Sequence, residues 1–133
     1  MTFDLSLNEH PVSRVYNCDC MELMEQYPDK YFVLWTLYPP GTDYPVVDDM
    51  ILGSQFGTWM TDTLAAGLDS YGAFPDNVMI FDIRTLLDSS YYLPDSYADS
   101  PTDPHPNAAA ASYIAPIYIQ QVFDNARAYR RPD

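Results

Sequence analysis

Basic residues are scarce in this chain: six lysines and arginines stand against nineteen aspartates and glutamates, a formal charge of −13. Neutralised phosphates supply most of the energy that holds a protein to a nucleic-acid backbone, so so acidic a surface excludes DNA and RNA as expected partners. Anionic membrane surfaces are excluded on the same ground. Cysteine is also rare, with only Cys18 and Cys20. Thiols two residues apart do not meet the spacing and direction that a disulfide requires. No second Cys/His pair completes a zinc site, so two free structural thiols and no metal are expected. Long apolar runs are missing, and none approaches the roughly 18 residues needed to span a bilayer. Met1-Thr2-Phe3-Asp4-Leu5 lacks the basic and apolar regions of a secretory signal. Taken literally, these absences place the chain in the cytoplasm.

What the sequence does contain is core-forming material. Of its 133 residues, 47% are hydrophobic and 15% aromatic, the opposite of a disordered composition and enough for a single globular domain. Twelve prolines and twelve tyrosines are concentrated in stretches that read as ordered loops.

Residues 1–20 alternate weakly in polarity and contain Pro11, which suits short strands or an irregular arm. Residues 21–27 are good helix formers stopped by Pro28. Tyr31 to Leu37 is a β-branched and aromatic run ended by Pro39-Pro40, the pattern of a strand covered on both faces. After a loop containing Pro45, Phe56, Met60, Leu64 and Leu68 recur at helical spacing beside Trp59, predicting one buried stripe of a helix over 55–68. A second buried strand is expected over 77–83. Residues 88–106 form a long loop rich in Tyr, Pro, Asp and Ser, and loops of that length are often functional. A final helix is expected from the N-cap Asn107 to Tyr129, kinked or delayed by Pro116, with Ala115, Ile119, Val122, Ala126 and Tyr129 inward. This order predicts an α/β fold: three α/β/α layers around a parallel sheet with right-handed crossovers. An arm over 1–20 and a truncated or partial domain over 21–133 are expected. Because only two strong strands are evident, unpaired edges and self-association are expected as well.

The run Asp103-Pro104-His105-Pro106-Asn107, placed just before a helix, resembles the last block of the SGNH (GDSL-type) serine hydrolases. In that family the block supplies the catalytic histidine and its aspartate partner. Residues 28–36 followed by Pro39-Pro40 look like the family's strand that ends near its active site, Trp59-Met60 falls in the matching helix, and residues 77–82 look like its last core strand. The resemblance covers roughly residues 21–130. It implies ester hydrolysis, commonly of an acyl or acetyl group on a carbohydrate or lipid, with no cofactor. His105 would be the general base, because a serine alcohol is a weak nucleophile until an imidazole takes its proton. Asp103 would hold the imidazole's tautomer, although the family's usual spacing puts the carboxylate where Thr102 stands here. Asp99 is a more distant substitute, and His10 reads as an incidental histidine.

The family's Gly-Asp-Ser block, its oxyanion-hole glycine and its Gly-x-Asn-Asp block are not recognisable. Gly67-Leu68-Asp69-Ser70 ends a helix and Gly53-Ser54 follows only three apolar residues, whereas the elbow chemistry needs a serine at the end of a strand. The nucleophile is therefore expected to come from elsewhere; the alternative is a degenerate, non-catalytic module. At the other end, residues 15–24 with Pro28-Asp29-Lys30-Tyr31-Phe32 resemble the start of phage-type adenine methyltransferases. There the following strand leads to Asp-Pro-Pro-Tyr; here the residues are Tyr38-Pro39-Pro40-Gly41, so both chemically important positions differ.

Overall fold

The computed structural model describes residues 2–3, 15–16, 20–43, 47–87 and 91–130. Strands β1 (Thr2–Phe3) and β2 (Val15–Tyr16) pair antiparallel, as far as the N-terminal arm is described. His10 and Cys18 lie outside the described residues, and Cys20 is a free, exposed thiol rather than a core one. Helix α1 (Cys20–Glu25) leads to strand β3 (Phe32–Trp35), then to helix α2 (Val47–Trp59), which passes into a π-helical turn over Met60–Leu64. Strand β4 (Val78–Phe81), the short helix α3 (Ile83–Leu87), a 3₁₀ turn at Asp95–Tyr97 and the long helix α4 (Ala108–Arg130) complete the order.

The chain is therefore mixed α/β, with a small parallel sheet of β3 and β4 in the register Phe32↔Val78 to Trp35↔Phe81. Parallel neighbours need a crossover, and α2 with its π turn is the element that makes it. Alternate residues of the two strands feed separate clusters, as the two-residue period of a strand requires. Met79 and Phe81, with Val33, pack with Ile83, Leu87, Leu93, Ala110 and Ile114. Val78, with Phe32 and Leu34, packs with Met21, Met24 and Leu64. Trp35, Phe81 and Tyr118 interlock with ring centroids 4.7–5.0 Å apart.

Asn77 ties the second cluster together. Its side-chain amide, buried at 4% exposure, donates to the carbonyls of Met24, Tyr27 and Lys30 at 2.8, 3.1 and 3.2 Å. These carbonyls belong to the last turn of α1 and the turns after it, where those of Met24 and Tyr27 also accept the Tyr27 and Lys30 N–H groups at 3.2 and 3.0 Å. One side chain thus caps α1 and fixes it to the start of β4.

Several expectations are corrected. Helix α2 begins at Val47, eight residues before Gln55. Gly53 and Gly57 lower helix propensity in that segment, and they lie on the face of α2 that meets Thr36, Leu37 and the Arg84 side chain. The stripe Phe56–Met60–Leu64–Leu68 does not form one face: Met60 and Leu64 are buried, while Phe56 and Leu68 are exposed. Steps of four residues drift around a helix, and the wider π turn, closed by the Ala65 N–H on the Met60 carbonyl, shifts the phase again. Strand β3 is only half-buried, with Trp35 exposed, whereas β4 in the same two-stranded sheet is largely buried. In α4 Val122, Ala126 and Tyr129 are half-buried as expected, with Tyr129 packed on Tyr31, but in the first half of the helix the inward face is Ala110, Ile114, Ile117 and Tyr118, and Ala115 and Ile119 are exposed. Pro116 does not delay the helix. It sits on an exposed face, where water can take the carbonyl that loses its partner.

Candidate functional site

The two parallel strands end side by side, and a hydrogen-bonded platform closes their ends. Asp82, directly after β4, accepts the Thr36 hydroxyl at 2.9 Å and the Thr85 N–H at 3.2 Å on Oδ1, with the Thr85 hydroxyl on Oδ2. This is the capping role of an aspartate before a helix, and it explains why β4 stops and α3 begins there. The buried Thr36 hydroxyl in turn accepts the Arg84 N–H at 3.1 Å.

Over this platform the loops after β3 and before α4 are laced together. The Leu93 N–H donates to the Pro40 carbonyl at 2.8 Å and the Asp43 N–H to the Pro101 carbonyl at 2.9 Å. Gly41 lies between them; a Cβ there would stand 2.5 Å from the Pro101 carbonyl oxygen and 2.7 Å from that of Asp103. No side chain fits at that distance, so glycine is what lets the two loops close. Asn107 finishes the loop as expected. Its side-chain oxygen accepts the Ala109 and Ala110 N–H groups at 3.0 and 3.1 Å, and its own N–H donates to the Tyr97 carbonyl.

The structure brings His105 and Asp103 together. One oxygen, Asp103 Oδ1, takes the His105 backbone N–H at 2.9 Å and faces the ring Nδ1 at 3.1 Å. The backbone N–H, then the ring's hydrogen bond, then its charge hold the Asp103 carboxyl below the ordinary aspartate range. With only Pro104 between them, a single carboxylate oxygen reaches both the backbone N–H and the ring of His105. With Nδ1 assigned as the donor, Nε2 is the nitrogen left to accept a proton. The imidazole is exposed, at 72% of its side-chain surface.

Among the described residues, no serine or threonine hydroxyl bonds to His105. Ser54 lies inside α2 and Ser70 in the turn after the π segment, so neither stands at a strand end. Asp99 is exposed and makes no bond to His105. No group of three metal-ligating side chains occurs among the described residues, and no described helix is long and apolar enough to cross a membrane.

No family model, curated protein or solved structure matches the chain. The chemistry has to be read from the residues themselves.

Three cavities meet at this end of the molecule. An apolar one of about 400 Å³ runs from Pro106 past Trp35, Tyr38, Ile83, Leu87 and Ala110. A second, of about 320 Å³, lies between Pro104 and the start of α2, with Arg84 in its wall. A smaller one of about 270 Å³ is polar, lined by Asp62, Asp82, Thr61 and Thr85, and shares Arg84 with the second. Thr36, Asp82 and Arg84 were not among the residues that the sequence singled out. For Arg84 a signal was present: a lone arginine in Ile83-Arg84-Thr85-Leu86-Leu87, directly after a buried strand, in a chain with six basic residues.

Proposed function

We propose that residues 21–130 form an SGNH-hydrolase-like module in which His105 is the general base and Asp103 its orienting carboxylate. The observation that carries this reading is the Asp103 Oδ1–His105 Nδ1 pair at 3.1 Å, held on the loop above the adjacent ends of two parallel strands. Sites in open parallel sheets form at that edge. The two apolar clusters on opposite faces of the sheet are consistent with a three-layer helix–sheet–helix arrangement. The apolar cavity beside Pro106 suits the acyl part of an ester, with the carbohydrate or lipid alcohol toward solvent.

In this reading a serine is supplied by a segment other than the described ones, on a strand that adds to the free edge of β3. His105 Nε2 removes its proton during attack on the ester carbonyl and later returns a proton to the leaving alcohol. Asp103 keeps the ring in the required tautomer and stabilises its positive charge.

A second reading is a ligand-binding module without catalysis. It is favoured by the lack of a described hydroxyl within hydrogen-bond reach of His105. A fluorophosphonate probe and a short activated ester separate the possibilities. The chain by itself is expected to stay unlabelled and to hydrolyse no faster than its His105→Ala variant, since loss of even one oxyanion donor costs about 10²–10³ in rate. Stoichiometric labelling of Ser54 or Ser70 would refute the supplied-serine reading.

A further inference from the structure

Arg84 is a buried cation whose surroundings leave it largely unanswered. It retains 5% exposure, and its backbone N–H is fixed to the Thr36 hydroxyl. Its stem lies along the glycine face of α2. A Cβ on Gly57 would stand 3.5 Å from its Cδ, and one on Gly53 would stand 3.6 Å from Nη1. The head therefore ends beside the first turns of α2, where Nη2 donates to the Met50 carbonyl at 3.3 Å.

That is the only hydrogen bond of its side chain among the described residues. Nε is buried with no acceptor, and no described carboxylate lies within 4.0 Å of the guanidinium. A guanidinium carries five N–H donors in a rigid fork that matches a carboxylate. Burying it without a counter-charge is costly, and the arrangement gains most when an anion completes it.

Arg84 lines two cavities: its stem, beside Gly57, borders the polar one with Asp62 and Asp82, and its head, beside Gly53 and Met50, borders the one of about 320 Å³ between Pro104 and α2. The other walls of the latter are mainly apolar, from Leu37, Tyr38, Pro40 and Met50, with the exposed Asp49 beside them. We propose that this cavity binds a small organic monoanion, with the Arg84 guanidinium receiving its carboxylate and the apolar walls holding its body. A phosphate dianion fits less well, because it would meet one cation, the Asp49 carboxylate and a chain of net charge −13. The site does not depend on the hydrolase reading, since neither His105 nor Asp103 lines this cavity.

The test uses the intact chain with benzoate, and benzamide as its neutral counterpart, at fixed ionic strength. Benzoate in the tens of millimolar should raise the melting temperature and move the NMR signal of the Arg84 Nε–H group, while benzamide should do neither. Arg84→Lys should bind benzoate about ten-fold more weakly, because a point charge replaces the fork. Arg84→Met should keep a cooperative melt and lose the benzoate response. If Arg84→Met does not fold, the Nε–H signal of the unaltered chain and the Arg84→Lys affinity decide the question. Equal effects of benzoate and benzamide, an unmoved Nε–H signal, or an undiminished benzoate response in a folded Arg84 variant would each overturn the proposal.

Discussion

Replacing Asn77 by aspartate changes almost no volume but reverses the chemistry of the joint between α1 and β4. The side-chain amide supplies the hydrogen bonds to the Met24, Tyr27 and Lys30 carbonyls. Asn77→Asp removes both N–H donors and sets a carboxyl against three carbonyl oxygens at 4% exposure. Each net hydrogen bond lost costs about 1 kcal/mol, and a buried carboxylate set against carbonyl oxygens adds a desolvation and repulsion cost of a few kcal/mol, although the Met24 and Tyr27 carbonyls keep the Tyr27 and Lys30 N–H groups. We expect a loss of about 3–5 kcal/mol at pH 7, a large part of the 5–15 kcal/mol typical of a domain. Burial raises the pKa of the new carboxyl in the folded state, so protonation favours folding. The penalty is full at neutral pH and shrinks as pH falls toward about 4. Urea denaturation at pH 7 and pH 4.5, each against the unaltered chain, measures both effects. A loss below about 1 kcal/mol at pH 7, or a loss that grows on acidification, would refute the assigned role of Asn77.

Gly41→Ala should push apart the loops carrying Pro40 and Asp103, seen as shifted amide signals across residues 99–107, because a Cβ would stand 2.5 Å from the Pro101 carbonyl oxygen. Asp103 has its folded pKa depressed by His105, so its contribution to stability is present above the ordinary value of 3.8 and is lost as pH falls through the lower folded value. Asp103→Asn should therefore flatten the acid limb of the stability curve below pH 3.8, as read by thermal melts across that range. The free edge of β3 and the exposed Trp35, Leu37, Ile119 and Phe123 predict concentration-dependent self-association. Sedimentation velocity checks this, and a clean monomer at all concentrations would oppose it.

Much of the fold was legible where side-chain chemistry and backbone agree. The runs that became β3 and β4 are β-branched or aromatic and bounded by proline or aspartate, and Asn107 caps α4 as its position before an alanine run suggests. The start of α2 was hidden, because Gly53 and Gly57 read locally as helix-breaking although both lie within the helix. Which faces turn inward was also hidden, since the π turn at Met60–Leu64 changes the period and the core reaches only part of α4. At the site, the pairing of His105 with Asp103 was readable from five consecutive residues. The Thr36–Asp82–Arg84 platform was not, because it joins Thr36 to a side chain 46 residues away and a backbone N–H 48 residues away, which meet only when two strand ends lie side by side.

In the proposed mechanism His105 acts as a base toward a serine presented at the edge of the sheet. The most direct measurement is the turnover of a short activated ester after this chain is combined with a Gly-Asp-Ser-bearing segment from an SGNH hydrolase, fused or added separately. Turnover should appear, fall by about 10⁴-fold or more with His105→Ala, and fall less with Asp103→Ala, since the carboxylate only orients the ring and stabilises its charge. Turnover that is unchanged by His105→Ala would contradict the account.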